Sequence, residues 1–161
     1  MGPNDPILDI EVARRKFTEA VALYEGRDRF AALGWDIREP RFPRLDVFFI
    51  AKGRRKIGVR LGLRNYDFQA ASVTYLNPSG ALFNGVIPAT QHPQAKGPPI
   101  QRIVYVHPLT KLPFLCVEGT WEFHAHIQHQ HKRWDEFRSQ IRLLDVIGRA
   151  FDEVDEGWLR A

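Results

Sequence analysis

A single cysteine is the residue of this chain with the most distinctive chemistry. Cys116 is the only cysteine among 161 residues, His107-Pro108 comes shortly before it, and Glu118 follows two residues later. As a thiolate, cysteine is a nucleophile and a metal ligand, whereas in apolar surroundings it is often only a small buried residue. Apolar residues flank this cysteine on both sides, so its type alone favours burial over catalysis.

Three further side chains with possible chemistry follow the cysteine at alternate positions. Glu122, His124 and His126 lie within residues 117–127, which we predict to be extended. Alternate side chains of a strand share one face, so these three would point the same way. With Cys116 they offer sulfur, imidazole and carboxylate ligands that suit zinc. A polar strand face beside an active site explains the same pattern without a metal.

The N-terminal part of the chain is predicted to be a helix that begins at Asp5-Pro6, with the aspartate as N-cap. Apolar residues then recur at spacings of three and four, which indicates one buried helical face. They are Ile10, Ala13, Phe17, Ala20 or Val21, and Tyr24. The helix would end at Gly26 or continue to Gly34.

The middle of the chain predicts an antiparallel meander of four strands, at residues 45–51, 56–64, 71–76 and 100–106. In the second strand apolar residues alternate with glycine and arginine, so only one face is apolar. Those apolar residues are Ile57, Val59, Leu61 and Leu63. Residues 77–99 are rich in proline and glycine, which indicates a loop insertion.

The last predicted element is a helix that begins near Trp134 and ends at Val154, with an apolar stripe broad enough to pack against a sheet. The elements together predict one α+β domain over residues 1–161. Its order is N-terminal helix, four-stranded antiparallel meander, active-site loop and C-terminal helix.

Composition narrows the possible partners. The net charge of +4 is mild. Nucleic-acid binders concentrate more charge on one face, so we expect no nucleic-acid partner. No apolar run approaches the ~20 residues that span a bilayer, and the N-terminus lacks a signal-peptide pattern, so we expect no membrane association. One cysteine cannot form an internal disulfide, which fits a reducing compartment and predicts a cytoplasmic protein.

Two short motifs and the order of the elements resemble the ubiquitin-conjugating (UBC-like) family. Residues 66–75, Tyr-Asp-Phe-Gln-Ala-Ala-Ser-Val-Thr-Tyr, resemble the family's Tyr-Pro-Phe-x-Pro-Pro-x-Val-x-Phe segment, with all three prolines replaced. His107-Pro108 followed by Cys116 resembles the family's His-Pro-Asn turn and catalytic cysteine. Trp134 is similar to the tryptophan that opens the next helix. The chain looks most like divergent bacterial members, found in operons, including antiviral defence operons, that encode a ubiquitin-like protein and its activating enzyme.

The resemblance implies a thioester relay that needs no cofactor. Cys116 would accept the C-terminus of a ubiquitin-like protein from an activating enzyme and pass it to an amine on a target protein. The thiolate is the competent species, and a neighbouring histidine favours it. Glu118 would orient the incoming amine or accept its proton, and His107 would mainly fix the turn.

One family residue is missing from the second motif. Leu109 stands where the family has asparagine, which supports the active-site loop or the developing oxyanion. Thr110, His124 and His126 are the candidates to replace it.

Two arginines of the first helix are candidates for partner binding. Arg14 and Arg15 lie outside the apolar stripe, which predicts either a solvated face or a docking surface for an acidic partner. The first helix of the UBC-like family contacts the activating enzyme, so the resemblance assigns these arginines to that contact.

Two alternatives stay open. The chain also resembles a bacterial family described as a predicted metal-binding domain, which implies zinc on Cys116, Glu122, His124 and His126. A metal on the cysteine would block acyl transfer. The third interpretation is a non-catalytic module that binds a ubiquitin-like protein without forming a thioester, and Leu109 in place of asparagine favours it.

Overall fold

Four strands form the central sheet of this chain in a computed structural model that describes residues 6–22, 24, 28–85, 88–89, 102–103, 105–114, 118–129 and 131–152. The strands are β1 (Trp35–Ile37), β2 (Arg44–Ala51), β3 (Arg54–Gly62) and β4 (Ser72–Leu76). They pair antiparallel in chain order. With helices before and after this sheet, the chain is of the α+β class.

Strand β3 carries the apolar face that the sequence predicts. Its inward side chains, continued by the residue after the strand, are fully buried at Ile57, Val59, Leu61 and Leu63. On the other face, the Arg60 guanidinium donates hydrogen bonds to both carboxylate oxygens of Asp46 on β2, at 2.8 and 2.7 Å. The predicted alternation of apolar and polar positions in β3 is therefore confirmed. On the polar face, an ion pair links β3 to β2.

The first helix, α1 (Ile10–Ala22), begins later than predicted. Its N-cap is Asp9, whose Oδ1 accepts hydrogen bonds from the backbone N–H groups of the second and third helical residues at 3.0 and 3.1 Å. Pro6 precedes the helix and Asp5 lies outside the described residues, so the start predicted at Asp5-Pro6 is wrong. Asp9, the next aspartate along the chain, is the N-cap instead.

The apolar stripe of α1 is confirmed at Ala13, Phe17, Val21 and Tyr24, which are buried, whereas Ile10 is 42% exposed. The predicted continuation to Gly34 is wrong, and Gly26 lies outside the described residues. A separate one-turn helix, α2 (Asp28–Ala31), precedes β1. Gly34 has φ of +75°, a left-handed conformation that stops a helix, and the chain there turns into the sheet.

The predicted strand at residues 100–106 is not part of the central sheet. Its described residues form β6 (Arg102–Ile103), which pairs with β5 (Pro88–Ala89), and β7 (Tyr105–Val106), which pairs with β8 (Pro113–Phe114). The fourth strand of the sheet is β1. A strand of three residues is too short to show an alternating pattern, so the sequence did not reveal it.

The chain after β8 forms short helices: α3 (Trp121–Ala125), a 3₁₀ turn (Ile127–His129), α4 (Trp134–Phe137) and α5 (Leu143–Asp152). The prediction of a single helix from Trp134 to Val154 is therefore wrong, because α4 and α5 are separate helices. The Asp145 carboxylate accepts a hydrogen bond from the backbone N–H of Arg142 at 2.9 Å, which stabilises a new helix start at that point.

Helix α5 closes the core over the sheet. Its residues Val146, Ile147, Ala150 and Phe151 are buried in one cluster with the inward side chains of β2, β3 and β4. The Tyr75 hydroxyl of β4 donates a hydrogen bond to the backbone oxygen of Ala150 at 3.2 Å. None of the helices in the described ranges is long and apolar enough to cross a membrane.

Candidate functional site

The cysteine on which the predicted chemistry depends lies outside the described residues. The structure describes the residues on either side of it, Phe114 at the end of β8 and Glu118 at the start of the next turn. Phe114 is buried and Glu118 is half-buried. The residues that contact these two positions form the described part of the candidate site.

His107 is fully buried and binds on both ring nitrogens. Its Nε2 lies 3.2 Å from the backbone oxygen of Glu122, which can only accept, so Nε2 carries the proton. Its Nδ1 accepts from the backbone N–H groups of Leu109 and Thr110, both at 3.3 Å. Burial lowers the pKa of His107, which favours this neutral tautomer. The ring therefore anchors the turn and has no lone pair left to act as a base.

The turn after His107 is closed by backbone hydrogen bonds. His107 N–H donates to Leu112 O and Lys111 N–H donates to His107 O, both at 2.9 Å. Thr110 Oγ1 accepts a long hydrogen bond from the Leu112 N–H at 3.4 Å, so this hydroxyl helps to stabilise the turn. Leu109, at the position of the missing asparagine, is 66% exposed.

Of the segment 117–127, the structure describes residues 118–127, which form a turn followed by a helix, so the extended conformation predicted for them is wrong. Gly119 has φ of +95°, and Thr120 is the N-cap of α3, with its hydroxyl accepting from the Phe123 N–H at 3.2 Å. The Trp121 N–H donates to Ala71 O beside β4 at 2.9 Å. Glycine followed by threonine is a helix-start signal that outweighed the alternating pattern.

Glu122 joins α3 to the sheet and is only 1% exposed. Its two carboxylate oxygens bind the Ser72 hydroxyl and the Val73 N–H of β4, the latter at 2.9 Å. Burial raises the pKa of this carboxyl to about 7, although both hydrogen bonds act in the opposite direction. Glu122 is thus a buried structural carboxylate.

His124 belongs to a different environment from Glu122. Its Nδ1–H donates to the backbone oxygen of Lys132 at 2.7 Å, and its ring lies among Phe123, Trp134 and Phe137. Its Nε2 is buried and has no hydrogen-bond partner among the residues that the structure describes. The histidine therefore packs α3 against the chain that leads into α4.

His126 lies at the other side of α3, next to the turn of His107. Its ring centroid is 6.3 Å from that of His107 and 6.0 Å from that of Phe114. His129 is 5.8 Å from His126 and stacks on Phe123 at 4.1 Å. Burial, followed by the charge of His126, lowers the pKa of His129. Of the predicted supporting histidines, only His126 comes close to the turn.

Glu118 is held by two cations. Its carboxylate is 3.1 Å from Lys132 Nζ and 3.9 Å from Arg149 Nη1 on α5. Arg149 also donates to the backbone oxygen of Glu118 at 3.4 Å. Lys132 and Arg149 therefore place two cations beside this one carboxylate. Lys132 and Arg149 were missed from the sequence because both are far from Glu118 along the chain.

The three predicted zinc ligands that the structure describes, Glu122, His124 and His126, do not come together as a metal site. Both Glu122 oxygens are engaged with β4, and His124 faces the α4 side while His126 faces His107. Within residues 6–152, apart from the stretches that are not described, no group of three or more histidines, aspartates or glutamates can hold a metal ion. The predicted zinc site depended on three side chains that share one face of a strand. Residues 121–125 form helix α3 instead, so that shared face does not exist.

Arg14 and Arg15 lie on the exposed face of α1. The Arg14 guanidinium is 4.9 Å from the centroid of the Phe42 ring, and Arg15 Nε is 4.0 Å from the Glu19 carboxylate. Both positions are accessible, and neither contacts the turn of His107 in any described interaction.

The first motif of the resemblance lies in the turn before β4 and in β4 itself. Val73 and Tyr75 are buried in the core, while Phe68 is 66% exposed. The Trp134 indole N–H donates to the backbone oxygen of Asp67 at 2.9 Å. Trp134, which begins α4, thus fastens the turn of the first motif to the helices that follow the cysteine.

Comparisons with known proteins identify no family. No family model matches the chain, and no curated protein matches it in sequence.

Proposed function

We propose that this chain is a ubiquitin-conjugating-like carrier that receives a ubiquitin-like protein on Cys116 from an activating enzyme. The observation that carries the proposal is the anchoring of both flanks of the cysteine. On one side His107 and Phe114 are buried, their rings in edge-to-face contact with centroids 4.7 Å apart. On the other side Glu118 is bound by Lys132 and Arg149.

The electrostatic surroundings of these flanks suit a nucleophilic thiol. Lys132 and Arg149 approach from the side of Glu118, and His126 lies beside His107. Positive charge stabilises a thiolate relative to a thiol and lowers the pKa of a cysteine. His107 is neutral and fully engaged, so in this proposal it positions the turn and does not abstract a proton.

The proposed relay has two steps. The Cys116 thiolate attacks the thioester carbonyl carbon held on the activating enzyme, a new carbon–sulfur bond forms, and the activating-enzyme thiolate leaves. An amine of the target protein then attacks the same carbon, a carbon–nitrogen bond forms, and the Cys116 thiolate is released. Glu118 accepts the proton that the amine loses, or passes it to solvent. Arg14 and Arg15 are the proposed contacts for the activating enzyme.

The reactivity of the thiol tests the nucleophile assignment without any partner. We expect Cys116 to be alkylated by iodoacetamide with a midpoint pH below the ~8.5 of a free cysteine, because cations adjoin the flanking turn. Lys132→Gln should move the midpoint upward. Arg133 is the adjacent cation and pairs with Asp135, so Arg133→Gln should leave the midpoint unchanged. Alkylation monitored by intact mass gives the rate at each pH.

A thiol that alkylates only in denaturant would contradict the proposal, because a cysteine buried in the fold cannot accept a protein thioester. A midpoint that does not respond to Lys132→Gln would remove the electrostatic argument.

A further inference from the structure

A cleft of about 700 Å³ lies between α1, α2 and the chain that joins α4 to α5. Its lining is mainly apolar and aromatic and includes Tyr24, Phe30, Tyr66, Ile141 and Leu143. Small-molecule sites are typically concave, mostly apolar and of this size, with a few polar groups that orient the ligand. None of the residues assigned to the carrier site lines this cleft.

The rim of the cleft is positively charged. Four cations line it, Lys16, Arg29, Arg138 and Arg142, against two carboxylates, Glu19 and Asp67. Both carboxylates are already paired with Lys16, at 3.8 and 3.9 Å.

Two arginines of this rim are available to a ligand. Arg138 and Arg142 are exposed, and neither guanidinium lies within 4.0 Å of a carboxylate in the part of the chain that the structure describes. A free guanidinium at the mouth of an apolar cleft is suited to a planar anion, because it binds a carboxylate through two parallel hydrogen bonds.

Two tyrosines, Tyr24 and Tyr66, belong to the lining of the cleft. Burial raises the pKa of Tyr66 to about 12 and also raises that of Tyr24, so both hydroxyls keep their protons at neutral pH. Tyr24 stacks on Phe30 with ring centroids 5.5 Å apart, so this part of the lining is aromatic. The cleft therefore combines a mainly apolar, partly aromatic lining with cations at the rim.

We propose that this cleft binds a small aromatic carboxylate. The aromatic part lies against Tyr24, Phe30 and Tyr66, and the carboxylate is held at the rim by Arg138 and Arg142. The site does not depend on Cys116 or on the carrier function, and it is present in a chain that never forms a thioester.

The test uses two dyes that share one ring system. Anilinonaphthalenesulfonate carries an anion in place of the carboxylate, and phenylnaphthylamine is its uncharged counterpart. With the full chain, we expect saturable fluorescence enhancement with one site for the anionic dye. The double variant Arg138→Gln/Arg142→Gln should weaken its binding by about tenfold or more and change the binding of the uncharged dye by less than about twofold.

Two control variants make the result specific. Arg38→Gln/Arg41→Gln removes two exposed cations from another part of the surface and should leave both dyes unaffected. Ala20→Trp places a bulky indole in the cleft and should weaken the binding of both dyes, with an unchanged circular dichroism spectrum as evidence that the fold persists. The proposal is overturned if the wild-type chain shows no saturable binding, if the rim variant binds the anionic dye normally, or if it loses both dyes equally.

Discussion

At the scale of single residues, buried polar side chains hold the turn before the cysteine by using nearly all of their hydrogen-bonding groups. His107 binds one carbonyl and two N–H groups, and Glu122, whose carbonyl it binds, ties its own carboxylate to β4. The two residues thus form one chain of contacts from the turn to the sheet. A substitution of Glu122 that disrupts these contacts should therefore also destabilise the turn of His107.

Glu122 makes stability dependent on pH. Its pKa is raised from 4.5 to about 7 in the folded chain, so the folded state binds its proton more tightly than the unfolded state does. Its contribution is therefore fully present below pH ~4.5 and falls by about 3 kcal/mol as the pH rises to ~7. Glu122→Gln keeps an acceptor for Val73 N–H and a donor for the Ser72 hydroxyl but cannot ionise.

We predict that Glu122→Gln gains stability relative to the wild type as the pH rises from 4.5 to 7.5, by about 3 kcal/mol across the interval. Urea unfolding at the two pH values measures this difference. Glu122→Ala cannot ionise either, but it leaves Ser72 and Val73 without this partner and opens a cavity, so it should be less stable than Glu122→Gln by about 3 kcal/mol at both pH values. An equal difference between Gln and wild type at both pH values would show that the fold does not raise the pKa of Glu122.

At the scale of elements, the decisive feature is the turn that starts α3. Gly119 combines a left-handed φ of +95° with close packing, since a Cβ at this position would lie 2.6 Å from Ile141 Cγ2. The chain can therefore turn from Glu118 into the Thr120 cap only if residue 119 is glycine. This turn fixes the direction in which the chain leaves the segment of Cys116.

Gly119→Ala should destabilise the fold by about 3 kcal/mol, because it adds steric overlap to left-handed backbone strain. Gly53→Ala provides the matched control: Gly53 also has a positive φ, of +69°, but a Cβ there meets no atom within 4 Å. The control should cost only about 1 kcal/mol, from backbone strain alone. Thermal or urea unfolding compares the two, and equal losses would contradict the packing argument.

At the scale of the whole molecule, the sequence predicted long, regular features better than short ones. The buried stripe of α1 and the alternating face of β3 are confirmed because each repeats over several turns or residues. The three-residue β1 and the break between α4 and α5 were missed, since short strands and local caps give little periodic signal.

Local sequence patterns also failed to predict the geometry of the site. Glu122, His124 and His126 alternate along the sequence, but a threonine cap places them on a helix where they diverge. The contacts of Glu118 with Lys132 and Arg149 join residues distant in sequence, which no local pattern reveals. The role of Cys116 as the nucleophile is proposed from the sequence alone.

The central claim is that Cys116 carries a ubiquitin-like protein as a thioester, and intact-mass analysis tests it most directly. The chain is incubated with ATP and with an activating enzyme and ubiquitin-like protein of the kind that the proposed relay requires. We predict an adduct of the mass of the ubiquitin-like protein that thiol reagents release, that resists them in Cys116→Ser, and that is absent in Cys116→Ala. A wild-type chain that stays unmodified while the activating enzyme is charged, or an adduct that persists in Cys116→Ala, would contradict the account.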